Sequence, residues 1–174
     1  MKSPSQYFRA GAGAVIVDRR GLVLAIERAD TPGAWQLPQG GLKSSESPSQ
    51  AVFREVEEET GISKRDLKLL DAYPEPLAYE LPAGVWSKKT GRGQVGYWFL
   101  LRFEGADEAV NVARSSESSA WTWMRFDRLV RCVVDFRKPV YRRLHERFKP
   151  HLAGGAVRRR RTALRPARVS AARR

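Results

Sequence analysis

The chain has a single cysteine, Cys132, so no internal disulfide can form and nothing asks for an oxidising compartment. No apolar run approaches the ~20 residues of a membrane-spanning helix. Residues 1–9 are polar and lack the apolar segment of a secretory signal. The expected location is therefore the cytoplasm, with no membrane contact. Histidine is almost missing: His145 and His151 are remote from the acidic stretch, and no His or Cys recurs at zinc-ligand spacing. Acid is outnumbered, with 19 Asp and Glu against 32 Lys and Arg, a net charge of +13. No internal repeat is visible. Apolar material is not short: 42% of residues are hydrophobic and 10% aromatic, which excludes global disorder.

A length of 174 residues suits one domain with an appendage. The expected division is a flexible N-terminus over residues 1–6, a folded domain over 7–150 and a disordered basic tail over 151–174. Residues 156–174 hold eight arginines and no acid, which leaves +5 on the rest of the chain. Such an arm is either a solubilising extension or an electrostatic contact for RNA. The residual positive charge survives an acidic cluster and suits a polyanionic substrate.

The acidic cluster is one stretch, from Glu46 to Glu59. Glu55, Glu58 and Glu59 stand at i, i+3 and i+4 and share one face of a helix. Like charges that close repel and raise one another's pKa, so a divalent cation is the natural missing partner. The helix is well specified. Ser47 is the N-cap, Pro48 the first helical residue, Gln50 closes a capping box and Gly61 stops the helix. Val52, Phe53, Val56 and Thr60 fall on one side, which can dock on a sheet, and the acids on the adjacent side, which can face a cleft. Oxygen-only donors select a hard ion, Mg²⁺ or Mn²⁺, over zinc.

Gly40, Glu46, Arg54, Glu55, Val56, Glu58, Glu59, Gly61 and Ile62 fill every fixed position of Gly-x5-Glu-x7-Arg-Glu-U-x-Glu-Glu-x-Gly-U, with U aliphatic. On this pattern the chain resembles the Nudix hydrolases. The resemblance covers residues 7 to about 150. It implies the Nudix fold, an α/β architecture with a mixed β-sheet sandwiched between helices (α/β/α). It also implies that Glu55, Glu58 and Glu59 coordinate metal, one of them acting as base. Glu46 assists through a second ion or a salt bridge, Arg54 orients a box glutamate, and the Gly40 carbonyl completes the metal site.

The segment Trp35-Gln36-Leu37-Pro38-Gln39-Gly40-Gly41 resembles the one preceding the box in bacterial RNA 5′-pyrophosphohydrolases and asymmetric dinucleoside polyphosphate hydrolases. So do Tyr79-Glu80-Leu81-Pro82, Gly93-Gln94, Trp98-Phe99, Trp121-x-Trp123 and residues 133–143. This narrower resemblance implies that Glu117 helps to bind metal or activate water, and that Arg9, Val134, Phe136 and Arg137 contact the nucleotide. Arg28, Trp35 and Gln39 complete the expected substrate-binding set. Phe136 can stack on a base, and Arg9 and Arg137 can hold phosphate. Core packing is the competing expectation for Phe136 and, more strongly, for Trp35. Gly96 and Tyr97 depart from the polar and basic residues usual in the subgroup. The implied activity is metal-dependent removal of pyrophosphate from 5′-triphosphate RNA, or cleavage of dinucleoside polyphosphates such as diadenosine tetraphosphate, by a monomer. The competing readings are a housecleaning hydrolase of nucleoside triphosphates or nucleotide sugars, and a non-catalytic RNA-binding module.

Alternation and turn residues predict strands over residues 8–17, 22–27, 67–73, 94–103 and 121–126, with a short strand near 35–40. Residues 74–92 and 104–120 read as long loops. Asp127 is the expected cap of a short helix over 128–134, and Pro139 opens a last helix to about residue 149.

Overall fold

The computed structural model describes residues 7–153. Residues 1–6 and 154–174, and with them the N-terminal arm and the arginine-rich stretch, lie outside the described residues. Eight strands form one mixed sheet: β1 Phe8–Val17, β2 Val23–Arg28, β3 Trp35–Gln36, β4 Gln39–Gly41, β5 Leu67–Ala72, β6 Leu77–Glu80, β7 Gly93–Phe103 and β8 Ser118–Met124. The central order is β3-β2-β1-β7-β5, with β4 on β1, β6 on β7 and β8 on β2. β1 and β7 run parallel from Phe8 opposite Gly93 to Val17 opposite Arg102.

Three helices cover the two faces: α1 Pro48–Thr60, α2 Phe126–Cys132 and α3 Lys138–Phe148. β1 sorts its side chains by alternation. Ala12, Ala14 and Ile16 point to one face, where Val52 and Val56 of α1 pack on them. Val15 and Val17 point to the other, against Leu129 of α2 and Tyr141, Leu144 and Phe148 of α3. Alanine in β1 lets α1 lie close to the sheet. The result is the expected α/β/α layering. Among the described residues, no helix is long and apolar enough to cross a membrane.

α1 keeps the signals read from its sequence. Ser47 accepts from the Gln50 N–H, the Gln50 side chain accepts from the Ser47 N–H, and Gly61 closes the helix at φ 71°. Elsewhere the structure corrects the boundaries. Residues 74–92 are not all loop: Leu77 and Tyr79 are buried in β6, a short strand added to the edge of β7. β2 runs through Arg28, one residue further than expected, and β8 begins at Ser118. Asp127 is not a cap. α2 begins at Phe126 after Arg125, and Asp127 sits in its first turn. Phe126 is drawn into the helix because its ring is wanted in the core, where it packs on Tyr141.

Candidate active site

β4 lies on β1 with Gly40 opposite Ala12, and α1 starts seven residues after it. This short connection holds the acidic face of α1 beside the glycines of β4. A cleft of about 480 Å³ opens there. Glu55, Glu58 and Glu59 line it from α1, Gln39, Gly40 and Gly41 from β4, Arg9 and Gly11 from β1, Arg28 from β2, Gln36 from β3 and Gln94 from β7. Glu117, with Ser115 and Ser116, comes from the segment before β8, and Arg137 from the turn before α3.

Arg54 is the hub of the acidic wall. Its Nε and Nη2 donate to the two oxygens of Glu46, each at 2.7 Å. Nη1 donates to Glu55 at 2.7 Å and to Glu58 at 3.0 Å, and Nη2 also reaches the Gly41 carbonyl at 2.9 Å. The bidentate pairing holds the Glu46 carboxyl down at about 2 and raises the Arg54 guanidinium. Glu46 and Arg54 stand behind the cleft and do not line it.

Glu59 is 6% exposed and accepts from the Gln39 backbone N–H at 2.8 Å. Burial pushes its carboxyl up to about 8, against that hydrogen bond, and the charges of Glu55 and Glu117 add to the rise. Burial also raises Glu55, although Arg54 opposes it. A β-carbon on Gly40 would stand 2.0 Å from Glu55 Oε2, so only glycine leaves room for that carboxylate. Among the described residues, no three carboxylate, imidazole or thiol groups already converge as a metal cage. The donors are nonetheless all oxygen, and two carboxylates carry a desolvation cost with too little positive charge to offset it. That combination fits a hard divalent cation.

Three arginines share the cleft. Arg137 is 6% exposed, and its charge partly offsets the rise at Glu59. The Gln36 amide accepts from its Nη1, and the Gln39 amide, turned with its oxygen inward, accepts from Nη2 at 2.9 Å. The guanidinium lies over the Tyr79 ring at 5.5 Å and the Phe136 ring at 5.8 Å, and its Nε has no acceptor. Arg28 is held by Asp30, which raises its pKa, and the Glu117 charge contributes further. Arg9 reaches over Gly41, where a β-carbon would touch Nη2 at 3.0 Å.

The structure thus gathers Arg9, Arg28, Gln39, Gly40, Glu55, Glu58, Glu59, Glu117 and Arg137 on one cleft. It does not bring Trp35, Val134 or Phe136 to its lining; all three are partly buried against the α3-side core. Gln36, Gln94, Ser115 and Ser116 also line it, although the sequence gives none of them as a site residue. Gln36 had a usable signal: it is the lone polar residue of the pair Trp35-Gln36 that leads into buried Leu37.

Carboxylates and guanidiniums lining one cleft suit a chain of phosphates bridged to a divalent cation, and the class so defined is that of metal-dependent phosphoanhydride hydrolases. Comparison with known proteins narrows it. The Nudix domain family matches residues 7–144, and the chain belongs to that family. The RNA pyrophosphohydrolase of Erythrobacter litoralis is 40% identical over 149 residues, covering 82% of this chain and 91% of that protein. The RNA pyrophosphohydrolase of Rhodospirillum rubrum is 40% identical over 154 residues, 86% of this chain and 90% of the other. Among solved structures, a C. elegans Ap4A hydrolase binary complex superposes with a TM-score of 0.63 at 23% identity, over 80% of this chain and 97% of that one, which supports the shared fold. The chain is therefore a Nudix hydrolase, an enzyme of phosphoanhydride hydrolysis in a family that generally needs a divalent metal.

Proposed function

We propose that this enzyme removes pyrophosphate from the 5′ end of triphosphorylated RNA, and that dinucleoside polyphosphates, which present the same run of anhydrides, are cleaved in the same cleft. The observation that carries the proposal is the convergence on one cleft of Glu55, Glu58, Glu59 and Glu117 with Arg9, Arg28 and the buried Arg137. The names of the 40%-identical relatives and the positive charge of the chain support the RNA end as substrate. We place the activity in the cytoplasm and in a monomer.

Glu55, Glu58, Glu59 and the Gly40 carbonyl would hold Mg²⁺ or Mn²⁺. Bound there, the ion supplies neutralisation of phosphate oxygens and a lowered pKa for water. The chain's own residues do the rest. Arg137 is pre-aimed by Gln36 and Gln39, so it binds phosphate with little reorganisation. Arg9 and Arg28 hold the outer phosphates. Arg54, clamped by Glu46, fixes the carboxylates of Glu55 and Glu58 in the cleft. Glu117 stands at the exposed rim, where it accepts the proton of the attacking water. Val134, Phe136 and Trp35 act from behind the lining, Phe136 by supporting Tyr79 at 5.8 Å.

The deciding experiment offers 5′-triphosphate RNA, diadenosine tetraphosphate and a panel of mononucleotides to the full chain with Mg²⁺ or Mn²⁺, and identifies the products. Pyrophosphate from RNA is the expected result. Turnover of mononucleotides alone would replace the proposal with a housecleaning role. Glu58→Gln should lower the rate by a factor on the order of 10²–10⁴ while RNA binding persists. An unchanged rate would remove Glu58 from the machinery.

A further inference from the structure

A recess of about 20 Å³, enough for roughly one water-sized group, opens beside the cleft. Gly11, Gln39, Gly40 and Gln94 line both spaces, while Tyr79, Gly96 and Trp98 belong to the recess. Its floor is an indole. Trp98 of β7 stands opposite Gly13 of β1 and lies across the strand pair. A β-carbon on Gly13 would meet the ring at 2.4 Å, and one on Gly96 would stand 2.8 Å from Nε1. Two glycines therefore make room for the ring to lie flat, with its nitrogen edge beside Gly96.

Trp98 is 2% exposed, yet its Nε1–H has no acceptor. A buried donor left without a partner is destabilising, so an indole serving only to pack would be better replaced by an apolar ring. Next to it are the Gln39 amide and the Gln94 amide, whose oxygen accepts from the Tyr79 hydroxyl. The surroundings are an indole, two amides and a phenol, in a slot too narrow for a phosphate, and the buried Trp98 Nε1 lies beside Gly96, which lines that slot.

We propose that this recess is a base-edge subsite, in which the Trp98 indole N–H donates to one carbonyl oxygen or ring nitrogen of a nucleobase in the bound substrate. The proposal rests on the RNA reading given above. It makes Trp98 and Gly96 determinants of which base is preferred near the 5′ end, and gives the departure at Gly96 a function: a side chain there would close the slot.

Trp98→Phe keeps an aromatic ring over Gly13 and Gly96 and removes the donor. Gly96→Ala fills the slot. The full chain and both variants are assayed with Mg²⁺ on short 5′-triphosphate RNAs carrying each of the four bases at the first or second position. The expected result for both variants is a KM raised about threefold to tenfold for the favoured base, as befits one hydrogen bond, with kcat within twofold and base preference flattened. An equal rise in KM for every base would assign the donor to a bound water and overturn the proposal, as would unchanged preference. If the wild type leaves all the RNAs intact, the RNA reading fails, and a second measurement still judges the recess. In ¹H–¹⁵N spectra of the wild type, the Trp98 indole resonance should move downfield on addition of the 5′-monophosphate dinucleotide pApG. A stationary indole, while other cleft resonances shift, would overturn the subsite, including when a variant fails to fold.

Discussion

Gly40 shows how much of this site is set by the absence of a side chain. The Glu55 carboxylate occupies the space that a Gly40 β-carbon would take. Gly40→Ala must push that carboxylate off Arg54 Nη1 and out of the cleft. A displacement on the order of 1 Å of a catalytic group can cost about 10²-fold. We expect a kcat loss of about that size, with KM for RNA nearly unchanged because the arginine wall is untouched. A kcat within twofold of wild type would show that the Glu55 position is not critical. The glutamates were legible because one helix carries them at fixed spacing, so local sequence encodes their geometry. Arg137 is legible through the resemblance of residues 133–143, but its burial and its partner Gln36, 101 residues away, are written in no local pattern. Trp98 is harder still, since its free donor is a property of two glycines on different strands.

At the scale of elements, α3 positions the substrate wall through Tyr141. The phenol is fully buried, and its oxygen accepts from the Leu37 N–H at 2.8 Å, tying α3 to the chain between β3 and β4. Tyr141→Phe leaves that N–H without a partner and should cost about 1–3 kcal/mol, or about 2–4 °C of melting temperature per kcal/mol. Burial pushes the phenol up to about 12, above its ordinary value near 10. A raised folded-state pKa contributes stability that is complete below about pH 10 and is lost as pH climbs through 12. Denaturant midpoints from pH 8 to 12 should therefore fall more steeply for the wild type than for Tyr141→Phe. Parallel decline would show that the phenol titrates normally. Which elements were readable follows the same division between local and distant. α1 carries its capping box, its proline and its stop glycine within itself. β6 is four residues between prolines, and it becomes a strand only because β7 offers an edge.

For the whole molecule the leading property is charge. Residues 156–174 carry eight arginines, more than the net charge of all the rest, although they lie outside the described residues. We infer that they contact RNA beyond the cleft. Deleting them should weaken RNA binding and flatten its dependence on salt, by a slope of about 0.7 for each arginine that met a phosphate of single-stranded RNA. Turnover of a triphosphate dinucleotide should be unaffected. An unchanged slope would show the tail to be inert. The parallel pairing of β1 with β7 has a consequence of timing. Phe8 has to wait for Gly93, and the cleft joins Arg9 of β1 to Glu117 and Arg137, more than a hundred residues further along. Such distant pairings form late, after the cost of closing a long loop has been met. α1 carries its glutamates on one short helix, yet the arginines of the cleft come from β1, β2 and the turn before α3. The acidic face is thus written within one helix, whereas the cleft needs residues as far apart as Arg9 and Arg137 and exists only in the folded domain.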